Sequence, residues 1–324
     1  MKYIELGNTG IEVSRICVGG MSFGRIIEGG HQWTLDEGAT CDMIAHAYEL
    51  GVNFIDTANQ YAEGSSEEFI GKALKKLNIP RDKVVLASKV YFNEGHLSRE
   101  AIRREIKGTL TRLDTDYLDL YQIHRFDYDT PMEETMETLH ELVREGKVRA
   151  LGASAMYGYQ FHNLQIVAET NGWTKFSTMQ NHYNLLYRED ERELIPVCEQ
   201  YHVSRIPYSP LAGGHLTHTG WHSGSKRSDT DTILQHKYDD YKEADLVIVN
   251  RVHDLAEKYG VSMSEVALAW QFAKGVAAPI VGATKVPHFD QAVRSVDLEL
   301  TQEDIRYLEE TYTPRELVGL VRHP

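Results

Sequence analysis

The 324-residue chain is 42% apolar and sets 34 basic against 48 acidic side chains, a formal charge of −14. That is apolar content for one large barrel or two ordinary domains, and too much negative charge for a general affinity for nucleic acid or an anionic membrane. No run is long and apolar enough to span a bilayer and MKYIELGNTGIEVS holds no apolar leader, so a soluble, cytoplasmic protein is expected.

In chain order, KYIEL and IEVS, joined through Gly7 to Gly10, predict a hairpin over about residues 1–14, placed to plug the amino-terminal end of a barrel. Strand-like runs then begin near Ile16, Asn53, Val84, Tyr117, Val148, Phe176, Ser204 and Pro279, with amphipathic stretches between them, so the unit βα repeats eight times. Phe69, Ile70, Ala73, Leu74 and Leu77 recur at helical spacing, as do Ile102, Ile106, Leu110 and Leu113; each set gives one apolar face to cover a parallel sheet. Capping boxes are expected at Thr34 with Glu37, Ser65 with Glu68 and Ser262 with Glu265, and a helix start at Thr130 with Pro131 in the first helical position. Eight βα units favour a closed (β/α)8 barrel spanning residues 1–324 as a single domain over an open doubly wound sheet. Residues 210–245, rich in Gly, Ser and charge, read as a long mobile loop over the carboxyl rim, and 313–324 as a tail that closes over the same opening or trails off. Cys17, Cys41 and Cys198 are widely spaced and read as reduced packing residues.

Three consecutive strands end in ionisable residues: VNFID at Asp56 with Tyr61 just beyond, KVVLASK at Lys89, and YLDLYQIH at His124. In a parallel β/α architecture these ends share one rim, so the four side chains converge. Singly, each has an ordinary reading as a cap, a solvated lysine or a core histidine; four complementary groups on neighbouring strand ends point instead to an active site.

IDTANQY, LASK and QIH, with GAS, MQNHYN, IPYSPLAGG and PIVGATK after them in order, resemble the motifs of the aldo-keto reductases, and the resemblance runs from the hairpin to the last helix. It implies a barrel enzyme exchanging hydride between a nicotinamide cofactor, NADP(H) ahead of NAD(H), and a small-molecule aldehyde, ketone or alcohol. Hydride delivery builds negative charge on the carbonyl oxygen, so a proton donor is needed there: Tyr61, with Lys89 stabilising the phenolate and lowering its pKa, Asp56 holding Lys89 charged, and His124 orienting the oxygen. The resemblance also implies that Ser154, Gln180 and Asn181 meet the carboxamide, that Tyr208 stacks on the nicotinamide, and that Ser209, Leu211 and Gly213 lie in the pyrophosphate loop. Gly282, Thr284, Lys285, His288 and Gln291 fall in its adenosine region, with Lys285 the cation for a 2′-phosphate. The chain departs from the family pattern at Ala155, at His288, where a fixed Arg is common, and at Gln291-Ala292. Gly19-Gly20-Met21-Ser22-Phe23-Gly24 has the wrong spacing for a Rossmann fingerprint.

Trp33, Phe92, Arg125 and Phe126 are the candidate substrate contacts on the rim loops. No metal is expected: His215, His218 and His222 recur in a loop without a carboxylate or thiolate to complete a ligand set. Two other functions fit the same fold. One is a nicotinamide-sensing regulatory subunit with slow turnover; the other is Schiff-base chemistry at Lys89, which needs a neutral amine that Asp56 disfavours.

Overall fold

A computed structural model describes residues 1–28, 30–222 and 224–320. Strands β1 (Tyr3–Glu5) and β2 (Glu12–Ser14) pair antiparallel as the expected hairpin. Eight parallel strands come next: β3 (Cys17–Gly19), β4 (Phe54–Asp56), β5 (Val85–Val90), β6 (Leu118–Ile123), β7 (Val148–Ser154), β8 (Phe176–Gln180), β9 (Ser204–Arg205) and β10 (Ile280–Val281). Each starts within one residue of its predicted position, and they lie side by side in the order β10-β3-β4-β5-β6-β7-β8-β9. The ring closes where Ala277 N–H donates to Arg205 O and Ile280 N–H to Pro207 O, both at 2.9 Å. The fold is a (β/α)8 barrel.

Helices α1 (Glu37–Glu49), α2 (Ser65–Lys76), α3 (Arg99–Leu113), α4 (Met132–Arg144), α5 (Gly158–Asn171) and α6 (Leu194–Gln200) succeed the first six barrel strands in turn. After β9 come α7 (Lys226–Thr230), α8 (Thr232–Tyr238), α9 (Lys242–Tyr259) and α10 (Met263–Ala273); after β10 come α11 (Pro287–Arg294) and α12 (Gln302–Glu309). Of the expected capping boxes only Ser262 with Glu265 forms. Asp36, not Thr34, caps α1, because its carboxylate reaches the Ala39 N–H. Helix α2 is entered through Gly64 in the left-handed region, and the Ser65 hydroxyl turns back to Ala62 O at 2.6 Å instead of capping. Pro131 stands at the cap of α4, one place before its predicted first-turn position.

Alternation along the strands sorts the chain into two layers. Cys17, Phe54, Val85, Ala87, Leu120, Ala150, Ile206 and Ile280 pack together inside the barrel with Leu6, Ile11 and Val13 of the hairpin. Their strand neighbours, among them Val18, Ile55, Leu86, Tyr121, Leu151 and Met179, face outward into the layer beneath the helices. Two steps on from Phe54, two from Ala87 and two from Leu120, the inward positions become Asp56, Lys89 and Gln122. The interior therefore runs from apolar at the plugged end to polar at the carboxyl rim.

Residues 210–245 differ from the mobile loop expected of them. Trp221 and Leu234 are buried with Tyr238 in a second apolar cluster against α9 and α10, and His215 stacks on Trp221 at 4.1 Å. Short helices with few local signals are held there by packing. The tail is tied down as well: Arg315 forms a buried two-pronged ion pair with Asp245 of α9, Nη1 to Oδ2 at 3.1 Å, and its N–H donates to Glu189 Oε1 at 2.9 Å. Residues 321–324 of the expected tail lie outside the described residues. Removing one partner of such a pair leaves a buried charge uncompensated. Arg315→Met should therefore lower the unfolding free energy by about 3–5 kcal/mol in urea denaturation, and adding Asp245→Leu should recover most of it; a loss below about 1 kcal/mol in the single variant contradicts this account.

Candidate active site

Lys89, on the inward face of β5, is fully enclosed. Its ammonium donates to Asp56 Oδ1 at 2.5 Å and to Thr57 O at 2.7 Å. The other carboxylate oxygen, Oδ2, accepts from Gln122 Nε2 at 2.8 Å and Gln180 Nε2 at 3.0 Å, and Gln180 Nε2 also lies 3.3 Å from Gln122 Oε1. A carboxylate only accepts, so both amides must turn their NH2 groups toward it. Burial alone depresses Lys89, but Asp56 and Tyr61 together push its pKa above the ordinary value, and it stays an ammonium.

Tyr61 opens a single 3-10 turn, Tyr61–Gly64, in which Ala62 and Glu63 take left-handed angles (φ 47° and 54°). This tight reversal sets the half-buried phenol back over the barrel. The Lys89 ammonium lies 4.8 Å from its ring centroid, and the His124 ring meets it edge-on at 5.8 Å. The expected lowering of the phenol by Lys89 does not prevail; burial, helped by Asp56, pushes Tyr61 above its usual value, with Lys89 and Arg125 pulling against it. His124 is held well below the usual imidazole range by burial first, then by Lys89 and Arg125. Its buried Nδ1 has no hydrogen-bond partner. The four residues named from strand ends are thus gathered at one place.

Around them, Ser154 donates its hydroxyl to Gln180 O at 2.8 Å, and Asn181 donates to Asp190 Oδ2 at 2.9 Å. Asn181 Oδ1 and the Tyr208 hydroxyl are buried without partners. Tyr208 lies parallel to His182 at 5.2 Å. Beyond it Ser209 and Gly213 adopt left-handed angles in a tight turn, and a methyl group on Gly213 would fall 2.0 Å from Leu234 Cδ1. Leu211 packs against both apolar clusters beside this turn. Gly282, Thr284, Lys285 and His288 are exposed just past β10, with Gln291 half-buried on α11.

The four pocket candidates fare unequally. Phe92 is 42% exposed and meets the His124 ring edge-on at 5.0 Å. Arg125 donates to His124 O at 2.6 Å and sets its guanidinium 5.4 Å from the Phe92 ring. Trp33 is buried, its ring 4.3 Å from the Arg227 guanidinium, so it joins the first rim loop to α7. Phe126 makes its ring contact with Tyr128 at 5.0 Å and packs under the helices.

Several neighbours escape sequence reasoning. Gln122 shares the inward parity of His124 two residues on, a signal available in QIH. Lys237 and Asp190 have none, since tertiary packing alone brings them in. Asp190 is pushed up to about 7 by burial, with the Asn181 hydrogen bond opposing. It borders a cavity of about 330 Å³ between the loops after β7 and β8 and the tail, lined in part by Met156, Tyr157, Arg315 and Leu317.

Comparison with known proteins gives the family. The model of the aldo/keto reductase family matches residues 15–313. Versiconal hemiacetal acetate reductase of Aspergillus parasiticus is 42% identical, the match covering 97% of this chain and 98% of that protein. An aldo-keto reductase of Alternaria alternata is 42% identical over 98% of this chain and 93% of its own length, and one of Metarhizium robertsii 41% identical over 98% and 92%.

The depressed His124 has a measurable consequence. The unfolded chain takes up a proton near pH ~6.5 that the folded ring refuses, so this residue's contribution to stability is present above that pH and is lost as pH falls through it. The stability difference between the parent and His124→Gln should shrink on going from pH 7 to pH 5.5, by up to roughly 1.4 kcal/mol per pH unit. Imidazole nitrogen shifts of a neutral His124 ring at pH 6 are the expected companion result; a protonated ring there contradicts it.

Proposed function

The chain belongs to the aldo/keto reductase family and is an oxidoreductase, and from that premise we propose that it reduces an aldehyde or ketone with NADPH, Tyr61 giving the proton. The observation that carries this reading is the fully enclosed Lys89 ammonium, fixed by Asp56 and set against the Tyr61 ring.

NADPH, when bound, supplies the hydride. The residues present fit such a group: two buried polar atoms, Asn181 Oδ1 and the Tyr208 hydroxyl, lack partners that an amide-bearing ring can provide. Ser154, Gln180, Asn181 and Tyr208 would hold that end, Ser209, Leu211 and Gly213 the diphosphate, and Gly282, Thr284, Lys285, His288 and Gln291 the adenosine. Gln180 has its NH2 engaged by Asp56, so its carbonyl is the face left for a carboxamide N–H. Lys285 favours NADP over NAD because a 2′-phosphate needs a cation.

The chain's own groups then handle the proton. A neutral His124 donates a hydrogen bond to the carbonyl oxygen and holds it before Tyr61. Burial keeps the phenol protonated until the oxygen facing it has become an alkoxide, a far stronger base. Tyr61 passes its proton to that oxygen, and Lys89 stabilises the phenolate left behind. A raised Lys89 pKa also weighs against the Schiff-base alternative, which needs a neutral amine.

NADPH oxidation, followed at its absorbance band over an aldehyde panel, tests the assignment. Tyr61→Phe should lower turnover by about 10²–10⁴-fold while NADPH binding, titrated by fluorescence, changes little. Undiminished turnover in the variant defeats the proposal, and NADPH binding without oxidation by the parent favours the sensing subunit.

A further inference from the structure

Resting on the carbonyl-reductase reading above, we infer that the mouth selects an anionic substrate: Arg125 and Lys237 form a two-cation subsite for a carboxylate carried on the carbonyl compound that Tyr61 and His124 receive.

The most enclosed cations elsewhere have carboxylate partners, whereas the half-buried Arg15 donates from Nη2 to Val276 O at 2.9 Å and lies over the Phe272 ring. Lys89 has Asp56, Arg315 has Asp245, and Arg188 has Glu191 at 2.8 Å. In a chain with 48 acidic residues against 34 basic ones, a partner is easily found. Arg125 and Lys237, both half-buried, are in no ion pair among the described residues. Arg125 is nonetheless fixed, by its bond to His124 O at 2.6 Å and its seat over Phe92, whose own ring touches His124. One guanidinium N–H is engaged there, which leaves an edge for a carboxylate fork.

Lys237, near the end of α8, sets its ammonium 5.1 Å from the Tyr208 ring centroid. Burial, with Arg125 and Arg227 assisting, brings it down to about 8, so it is still mainly charged at neutral pH. Asp231 opposes that shift but is committed elsewhere: Oδ2 accepts from Arg227 Nε at 3.2 Å, and Oδ1 from the Leu234 N–H at 3.0 Å. The contacts of the two cations carry the assignment: Arg125 sits on His124 O and over Phe92, and Lys237 over Tyr208, so each lies against a side chain proposed to meet substrate or nicotinamide. Arg125 and Lys237 repel each other, and an anion that bridges them relieves that repulsion.

An oxyanion at this position has two sources, the substrate or the cofactor diphosphate. The anchoring of Arg125 on His124 favours the substrate, since His124 is the residue that meets the carbonyl.

The test uses the full chain with NADPH and two aldehyde sets of matched shape, the three carboxybenzaldehydes and the three tolualdehydes. At least one carboxybenzaldehyde should exceed its methyl counterpart by about tenfold or more in kcat/KM, and Arg125→Met and Lys237→Met should each remove most of that ratio. A ratio near one in the parent, or one unmoved in both variants, overturns the proposal. So does a Lys237→Met variant that weakens NADPH binding and keeps the parent ratio, which would assign the cations to the diphosphate. If the parent reduces neither set, the reductase reading fails on its own; calorimetric binding of the same aldehydes then decides the subsite, a preference for the carboxylate that is lost in the double variant supporting it and no preference overturning it.

Discussion

An ammonium sealed from water near the top of a barrel has to be answered, and the answer organises the surroundings. Lys89 requires Asp56, because an isolated charge in such a place is prohibitively costly. Asp56 in turn has a second oxygen to satisfy, which Gln122 and Gln180 do from two further strands. Those side chains need space: at Gly152, on the strand between them, a methyl group would lie 2.8 Å from Gln122 Cγ and 2.3 Å from Thr178 Oγ1. Five neighbouring strands are thus tied to one buried charge.

The same dependence explains why chemistry sits at one end. Inward positions are apolar where the hairpin packs beneath them and polar only in the last layer, where the strand ends let a proton be exchanged with a ligand. Tyr61 is the exception in origin, since it comes from a turn rather than a strand. The left-handed residues after it bring the phenol back over the ammonium, backbone strain located at a site of proposed function.

Much of this is readable in the sequence because period-two alternation is a strong signal. Parity places Asp56, Lys89 and His124 on one face of consecutive strands, and βα repetition brings those strands together. Gln122 obeys the same parity and escapes notice because a lone amide in an apolar run carries no chemistry of its own. What stays hidden is set by tertiary packing: Leu234 and Tyr238 hold α8 down through contacts with distant helices, and Arg315 finds Asp245 across 70 residues of chain. Caps fail for a local reason, since several polar residues compete at each helix start; Asp36 prevails over Thr34 by lying nearer the first free N–H groups.

The amino-terminal hairpin, with Leu6, Ile11 and Val13 wedged among the inward side chains, turns the barrel into a vessel with one mouth. Traffic through a single opening is a stack rather than a queue: of two ligands held one above the other, the deeper enters first and leaves last. Residues on the rim then act as gatekeepers twice in each cycle, once on arrival and once on departure, and the attraction that draws a molecule in there also slows its escape.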